Sequence, residues 1–394
     1  MTPFLRKILG LNWVLVFVMY ALLIFGVFMI ESAARHLPIS PEKMKEFGSA
    51  GLYYASQQKM WIVVGSVAYF VAALIDYKWI RWLGIPLYAV SLGLMVMAMQ
   101  KDDEVHRLVI AGLSFQPAQL GVTSGIIMIA WLMQDLPKLH RILGDPFIRI
   151  GIIGVVSAVP FLMVMKMGDM GSALVWIPVV IVSLVVAGIP FRFLSFIGLV
   201  SAGALPILYF VVLPLVSERG PDRIDLWLRM MQGQQVDIKG DGYAPHNVSM
   251  AVGKAGWKGV GWKATSDKGS LHDKRFIPHL TAHNDFIVAV IAEELGFRGM
   301  LLLLGAFVLL LVQGLFIGFY SRDVSGRLIV CMVVALLFAH IYENIGMCVL
   351  LMPITGIPLP LVSYSGTFVV ICMFLLGLVQ SVWVHRHRVT PEQG

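Results

Sequence analysis

Ten apolar runs of about 17–25 residues constrain this chain more than any other feature, because each can cross a hydrocarbon core of about 30 Å. They lie near 12–31, 58–76, 82–99, 118–134, 147–165, 170–188, 193–215, 286–318, 327–350 and 362–384. The chain is 58% hydrophobic and 13% charged, with a mean hydropathy of +0.82. Soluble domains carry about 25% charged residues, so soluble, disordered and fibrous classes are excluded. The expected fold class is all-α, a polytopic membrane protein with about ten transmembrane helices. It forms a single integral membrane domain over 1–394, with a large extracytoplasmic loop at about 216–284.

The first run follows Arg6 and Lys7 and is followed by Ser32-Ala33-Ala34, which resembles a cleavage site. It is longer than a signal-peptide core of about 7–15 residues and reads as a retained span. With the N-terminus inside, the inner loops carry Lys78, Arg81, Lys138, Arg141, Arg149, Arg192, Arg322, Arg327, Arg386 and Arg388. That bias, with an even number of spans, places both termini in the cytoplasm. The outer loops hold some positive charge too, at Arg35, Lys43, Lys45, Lys101 and Arg107. The net charge of +7 is therefore a topology signal. Basic and aromatic residues interleave in no nucleic-acid-binding pattern, so the expected partners exclude nucleic acid. Cys331, Cys348 and Cys372 lie in or beside apolar runs without CxxC spacing, which suggests neither a disulfide framework nor a zinc site. The inverted repeats of many transporters are not evident.

The 216–284 segment holds ten Lys/Arg and seven Asp/Glu, with Trp227, Tyr243, Trp257, Trp262 and Phe276 spread through it. It is too long for a passive connector. Short amphipathic helices on the outer membrane face are expected there.

Ionisable groups near membrane depth are candidate functional groups, because burying charge in lipid is expensive. Lys166 and Asp169 are three residues apart between two spans, which suits a structural ion pair or a polar substrate cavity. Asp285 falls where the long loop re-enters the membrane. A carboxylate at such a boundary is partly desolvated, which strengthens it as a base. Asp also favours helix N-caps, so a purely structural role stays open. Glu293 lies roughly 80° round the helix from Asp285 and Glu294 roughly opposite, so they do not share its site. In a fully inserted helix they need partners, such as Arg298 at i+4 from Glu294.

Residues 253–263 are glycine-rich and basic. They lack the GxxxxGK[ST] order of a nucleotide loop. Backbone amides with Lys254 and Lys258 suit a lipid diphosphate, and an amphipathic surface segment suits the same residues. Further on, Pro353, Pro358 and Pro360 forbid a regular helix at membrane depth. Such backbone must be buried in protein or line a wet cavity, unless it forms an outer turn.

These residues carry a resemblance. Asn344 to Gly366 resembles the NIGM…P-x-TGIPLP-x-VSYGG signature of the SEDS family (shape, elongation, division and sporulation), with Ser365 in place of a glycine. The Asp285 region resembles the family's TDFIFAVxxEELG run, with Asn284 in place of threonine. Phe115-Gln116-Pro117 resembles its FQPSE motif, and residues 166–172 its KQPDLGT motif. The match covers nearly the whole chain, and Ile291-Ala292-Glu293-Glu294 is closer to the elongation branch than to the division branch. Departures are Arg107-Leu108 where the family has Arg-Trp, Ala118 and Gln119 for serine and glutamate, and Val122 where lysine is common. The segment before Asp285 is also longer than usual.

The resemblance implies a glycosyltransferase of the bacterial cytoplasmic membrane that polymerises lipid II into peptidoglycan at the outer face. Asp285 is then the expected catalytic base. Lys166, Asp169, Arg107, Gln116, Lys254, Lys258 and Ser363 are expected at the substrate. A divalent cation (Mg or Mn) suits the leaving diphosphate. A single-span class B penicillin-binding protein and membrane lipid are the implied partners. A lipid II flippase and a non-catalytic scaffold for a transpeptidase are the alternatives.

Overall fold

The computed structural model describes residues 7–100, 108–110, 113–207, 210–211, 214 and 220–386. Arg107 and Arg388 lie outside the described residues. The principal helices are α1 (Trp13–Ala33), α2 (Ala50–Leu74), α3 (Gly84–Met99), α4 (Pro117–Leu139), α5 (Pro146–Lys166), α6 (Trp176–Val186), α7 (Phe191–Ile207), α8 (Gly220–Met231), α9 (Tyr243–Lys254), α10 (Ile287–Phe319), α11 (Val324–Cys348) and α12 (Gly366–Val384). Two three-residue strands, Leu108–Ile110 and Leu113–Phe115, pair antiparallel just before α4. The other regular elements among the described residues are helical.

Most apolar runs become single helices among the described residues, the 170–188 run divides into the turn Met170–Leu174 and α6, and α8 and α9 are the expected helices of the long loop. Among the described residues six helices are long and apolar enough to cross a membrane: α1, α4, α5, α10, α11 and α12. Local sequence sets their ends. The side chains of Asn12, Ser49, Asp145 and Asp323 accept backbone amides at the starts of α1, α2, α5 and α11. Pro117 and Pro146 occupy first-turn positions, where no amide is needed.

Helix α11 is the most enclosed, packed by α4, α6, α10 and α12. Helix α12 lies along α2, and a Cβ added at Gly377 would sit 2.5 Å from the Tyr69 carbonyl. Small residues allow this close approach where lipid provides no hydrophobic drive between helices. Leu302 is 76% exposed and Phe319 81%, an outer surface suited to lipid and not to water.

Helix α10 is not one straight span. Gly296 interrupts it at φ 69, ψ −169. The long loop docks at this break, where the Phe297 amide donates to the Gly256 carbonyl at 2.9 Å. Glu293 and Glu294 need no Arg298. Glu294 accepts from Ser32 Oγ, and Glu293 accepts the amides of Leu271 and His272. Arg298 is exposed, and its amide donates to the Trp257 carbonyl at 3.3 Å.

Candidate active site

Asp285 stands one residue before the cap position of α10. Phe286 holds that position, with no side-chain cap, so the capping reading of Asp285 is corrected. Its segment is held from three directions. Asn344 Nδ2, on α11, donates to the Asp285 carbonyl at 2.9 Å and to the Ile357 carbonyl at 2.6 Å. Ser363 Oγ donates to the Asn284 carbonyl, and the Tyr364 amide donates to the His283 carbonyl at 3.0 Å. The His283 ring packs between Tyr54 and Tyr364, with centroids 5.1 and 5.3 Å away. Burial lowers the His283 pKa to about 4, so this ring stays neutral.

The proline-rich stretch is the re-entrant element. Leu359, Leu361, Val362 and Ser363 are buried, and the Leu359 amide donates to Ser363 Oγ at 2.9 Å. The outer-turn reading is thereby corrected. Gly356 sits at φ 74, and a Cβ there would meet Asp285 Oδ2 at 3.6 Å. The Asp285 carboxylate therefore faces the Thr355-Gly356-Ile357 segment.

Asp169 reaches the same segment from the other side of the sequence. Its Oδ1 accepts the Ser172 amide at 2.9 Å, which caps a single helical turn, Met170–Leu174. Its Oδ2 accepts Gln116 Nε2 at 2.6 Å. Gln119 Nε2 donates to Ser172 Oγ at 3.2 Å, so the two glutamines at the start of α4 hold this turn. A Cβ on Gly171 would overlap Ile357 Cγ2 at 2.3 Å, which docks the turn directly on the proline loop. Lys166 is exposed and forms no ion pair with Asp169 among the described residues. The i,i+3 pair is not made because Asp169 caps instead.

Ser363 uses its hydroxyl on backbone groups and acts as a positioning residue. Lys254 and Lys258 are exposed, and no described contact joins them to the Asp285 cluster. Their glycine-rich segment docks on the break in α10. The amides of Val260 and Gly261 donate to the Glu293 and Glu294 carbonyls, both at 2.9 Å. A groove of about 540 Å³ opens between α8, α9 and Leu350 to Ile354, with Trp227 Nε1 donating to the Leu350 carbonyl at 2.8 Å.

Sequence reasoning missed four contributors. Gln119 holds the Asp169 turn, Asn344 positions Asp285, and His283 packs into the aromatic cluster. The fourth is Glu343, a buried carboxyl on α11 within electrostatic reach of Asp169 and hydrogen-bonded to Thr355. An ionisable residue inside an apolar run was the available signal for Glu343. Among the described residues no three His, Cys, Asp or Glu side chains converge as a metal cage.

The fold and site define a polytopic helical membrane protein with a boundary carboxylate held against a buried proline loop. The model of the family FTSW_RODA_SPOVE, described as cell cycle protein, matches residues 12–388, and the chain belongs to this SEDS family. It is 30% identical over 279 residues to the peptidoglycan glycosyltransferase MrdB of Escherichia coli K12, covering 71% of this chain and 70% of that one. It is 27% identical to the probable peptidoglycan glycosyltransferase FtsW of Geobacter metallireducens, over 96% of both chains. A chain from a peptidoglycan synthase complex superposes with a TM-score of 0.75 at 23% identity, covering 96% of this chain and 99% of that one. RodA of Thermus thermophilus does so at 0.64 and 23%, covering 96% and 98%. The last two are likenesses of fold.

Proposed function

We propose that this chain is a peptidoglycan glycosyltransferase that polymerises lipid II at the outer face of the bacterial cytoplasmic membrane. Its role is cell elongation, and both termini lie in the cytoplasm. The observation that carries the reading is the Asp285 carboxylate facing Gly356, on a segment whose Asp285 backbone carbonyl is held by Asn344. That geometry supports the reading of Asp285 as a preorganised base at the boundary where a lipid-linked sugar would meet water. The family relationship and the names of the curated relatives support the same reaction class.

The acceptor sugar hydroxyl attacks the anomeric carbon of the donor and gives its proton to Asp285. The bond from that carbon to the lipid diphosphate breaks, and its electron pair leaves with the diphosphate. Gln116 and Asp169 shape the polar wall opposite. Lys166, at the rim beside Asp169, suits the leaving negative charge. Arg107 keeps its place in the proposal on sequence alone, and Lys254 and Lys258 would meet the headgroup only at the periphery. A divalent cation would take one or two carboxylate oxygens here and complete its shell from the diphosphate and water. The lipid tail stays against apolar helix surfaces, so it need not leave the bilayer. A class B penicillin-binding protein is the partner we infer.

The test is gel analysis of glycan products made from labelled lipid II by the purified chain with its cognate transpeptidase. Long products support the reading. Their absence, where a known polymerase succeeds in the same mixture, overturns it.

A further inference from the structure

The outer end of α1 and the loop leading down to Asp285 border an open surface recess of about 440 Å³ that the proposed reaction leaves unused. Arg35 and His36, just beyond α1, meet Arg275 and His279 there, with Leu37 and Leu280 completing the walls. Two guanidiniums and two imidazoles thus converge from segments far apart in the chain. Among the described residues Asp273 is paired with Arg35 and His36 alone, at 3.6 and 3.4 Å. Its other oxygen accepts the amide and hydroxyl of Ser266. Arg275 makes no ion pair among the described residues, so positive charge is left over in the recess.

Arg275 is also held in an unusual conformation. Its φ is 60, a left-handed region that a non-glycine side chain seldom enters. The turn is fixed from both sides. The Arg275 amide donates to the His272 carbonyl at 3.0 Å, and the Arg275 carbonyl accepts Tyr243 Oη at 3.1 Å. Backbone strain over-determined in this way is found where a side chain must be aimed. Leu280 is 59% exposed and Phe276 41%, so an apolar rim adjoins the cationic recess at the end of a membrane-crossing helix. Guanidiniums pair with phosphate oxygens in a bidentate geometry, and basic pockets between helices hold lipid headgroups.

We propose that this recess binds the phosphate-bearing headgroup of a membrane-anchored lipid, with Arg35 and Arg275 on the phosphate and the apolar rim against the chain. Two sources share that chemistry, the bulk anionic phospholipid of the bilayer and a lipid-linked diphosphate. The proposal does not rest on the glycosyltransferase reading.

The experiment uses the full chain in nanodiscs of zwitterionic phosphatidylcholine, titrated with inorganic pyrophosphate by calorimetry. Saturable binding is expected. Arg275→Gln and His279→Gln, both at the surface of the loop, should each weaken it by about tenfold, the scale of a lost charged hydrogen bond. Lys268→Gln, an exposed cation outside the recess, should leave it unchanged. Unfolding temperatures equal to wild type exclude misfolding as the cause. The titration is then repeated with one-third phosphatidylglycerol. A raised apparent Kd assigns the recess to bulk headgroups, an unchanged one assigns it to lipid-linked diphosphates, and either supports the site. No binding by the wild type, or binding that ignores Arg275→Gln and His279→Gln, overturns it.

Discussion

The side-chain amide of Asn344 is hydrogen-bonded to the backbone carbonyl of Asp285, and the same nitrogen reaches Ile357. One buried residue of α11 therefore sets the spacing between the segment bearing the carboxylate and the proline loop it faces. Proline-rich backbone has few amides of its own, so its carbonyls must find donors elsewhere.

Asn344→Leu keeps the volume and removes the donor. Two buried carbonyls then lose a partner, at a cost of about 1–3 kcal/mol. Because Asp285 loses its support and not its carboxylate, kcat should fall at least about tenfold with a smaller change in KM. Thermal unfolding and steady-state polymerisation read the two effects separately.

Gly296→Ala tests the break in α10. The backbone there occupies a region open to glycine alone, and a Cβ would lie 2.4 Å from the Gly259 amide nitrogen. Strain of this kind costs about 1–3 kcal/mol before the overlap is counted. The variant should be less stable than wild type. Residues 253–263 should also become accessible to protease, because their docking amides lose the Glu293 and Glu294 carbonyls.

Two buried imidazoles outside the spans give the fold an acid limit. Burial lowers the His283 pKa to about 4. Burial, and then Arg35, lowers the His272 pKa to about 3. The unfolded chain takes up these protons near 6.5, so between about 6.5 and 4 it binds more protons than the folded one. Stability should therefore fall as pH drops through that window. The contribution of His283 is on the order of 3 kcal/mol, and His283→Phe should flatten the dependence in denaturant titrations between pH 7 and 4.

Much of this was legible in the sequence because membrane spans are written in contiguous residues. Most apolar runs became helices, and three prolines within residues 353–360 forced an irregular buried loop. What the sequence hid was contact between distant segments. Gln116 and Asp169 meet across 53 positions, and Asn344 and Asp285 across 59, with no local pattern to announce either pair. Residues 253–263 were ambiguous for a different reason. Glycines that cradle a phosphate and glycines that admit another backbone look the same, and here Gly259 admits Gly296. The Lys166–Asp169 spacing suited an ion pair, yet the carboxylate caps a turn.

The central claim is that Asp285 takes the proton of the attacking hydroxyl. The most direct measurement compares wild type and Asp285→Asn for lipid II polymerisation with the cognate transpeptidase, with matched unfolding temperatures and matched retention of lipid II. The account predicts that the amide variant binds substrate and loses at least about a hundredfold in rate. Glycan strands made by Asp285→Asn at the wild-type rate would contradict it.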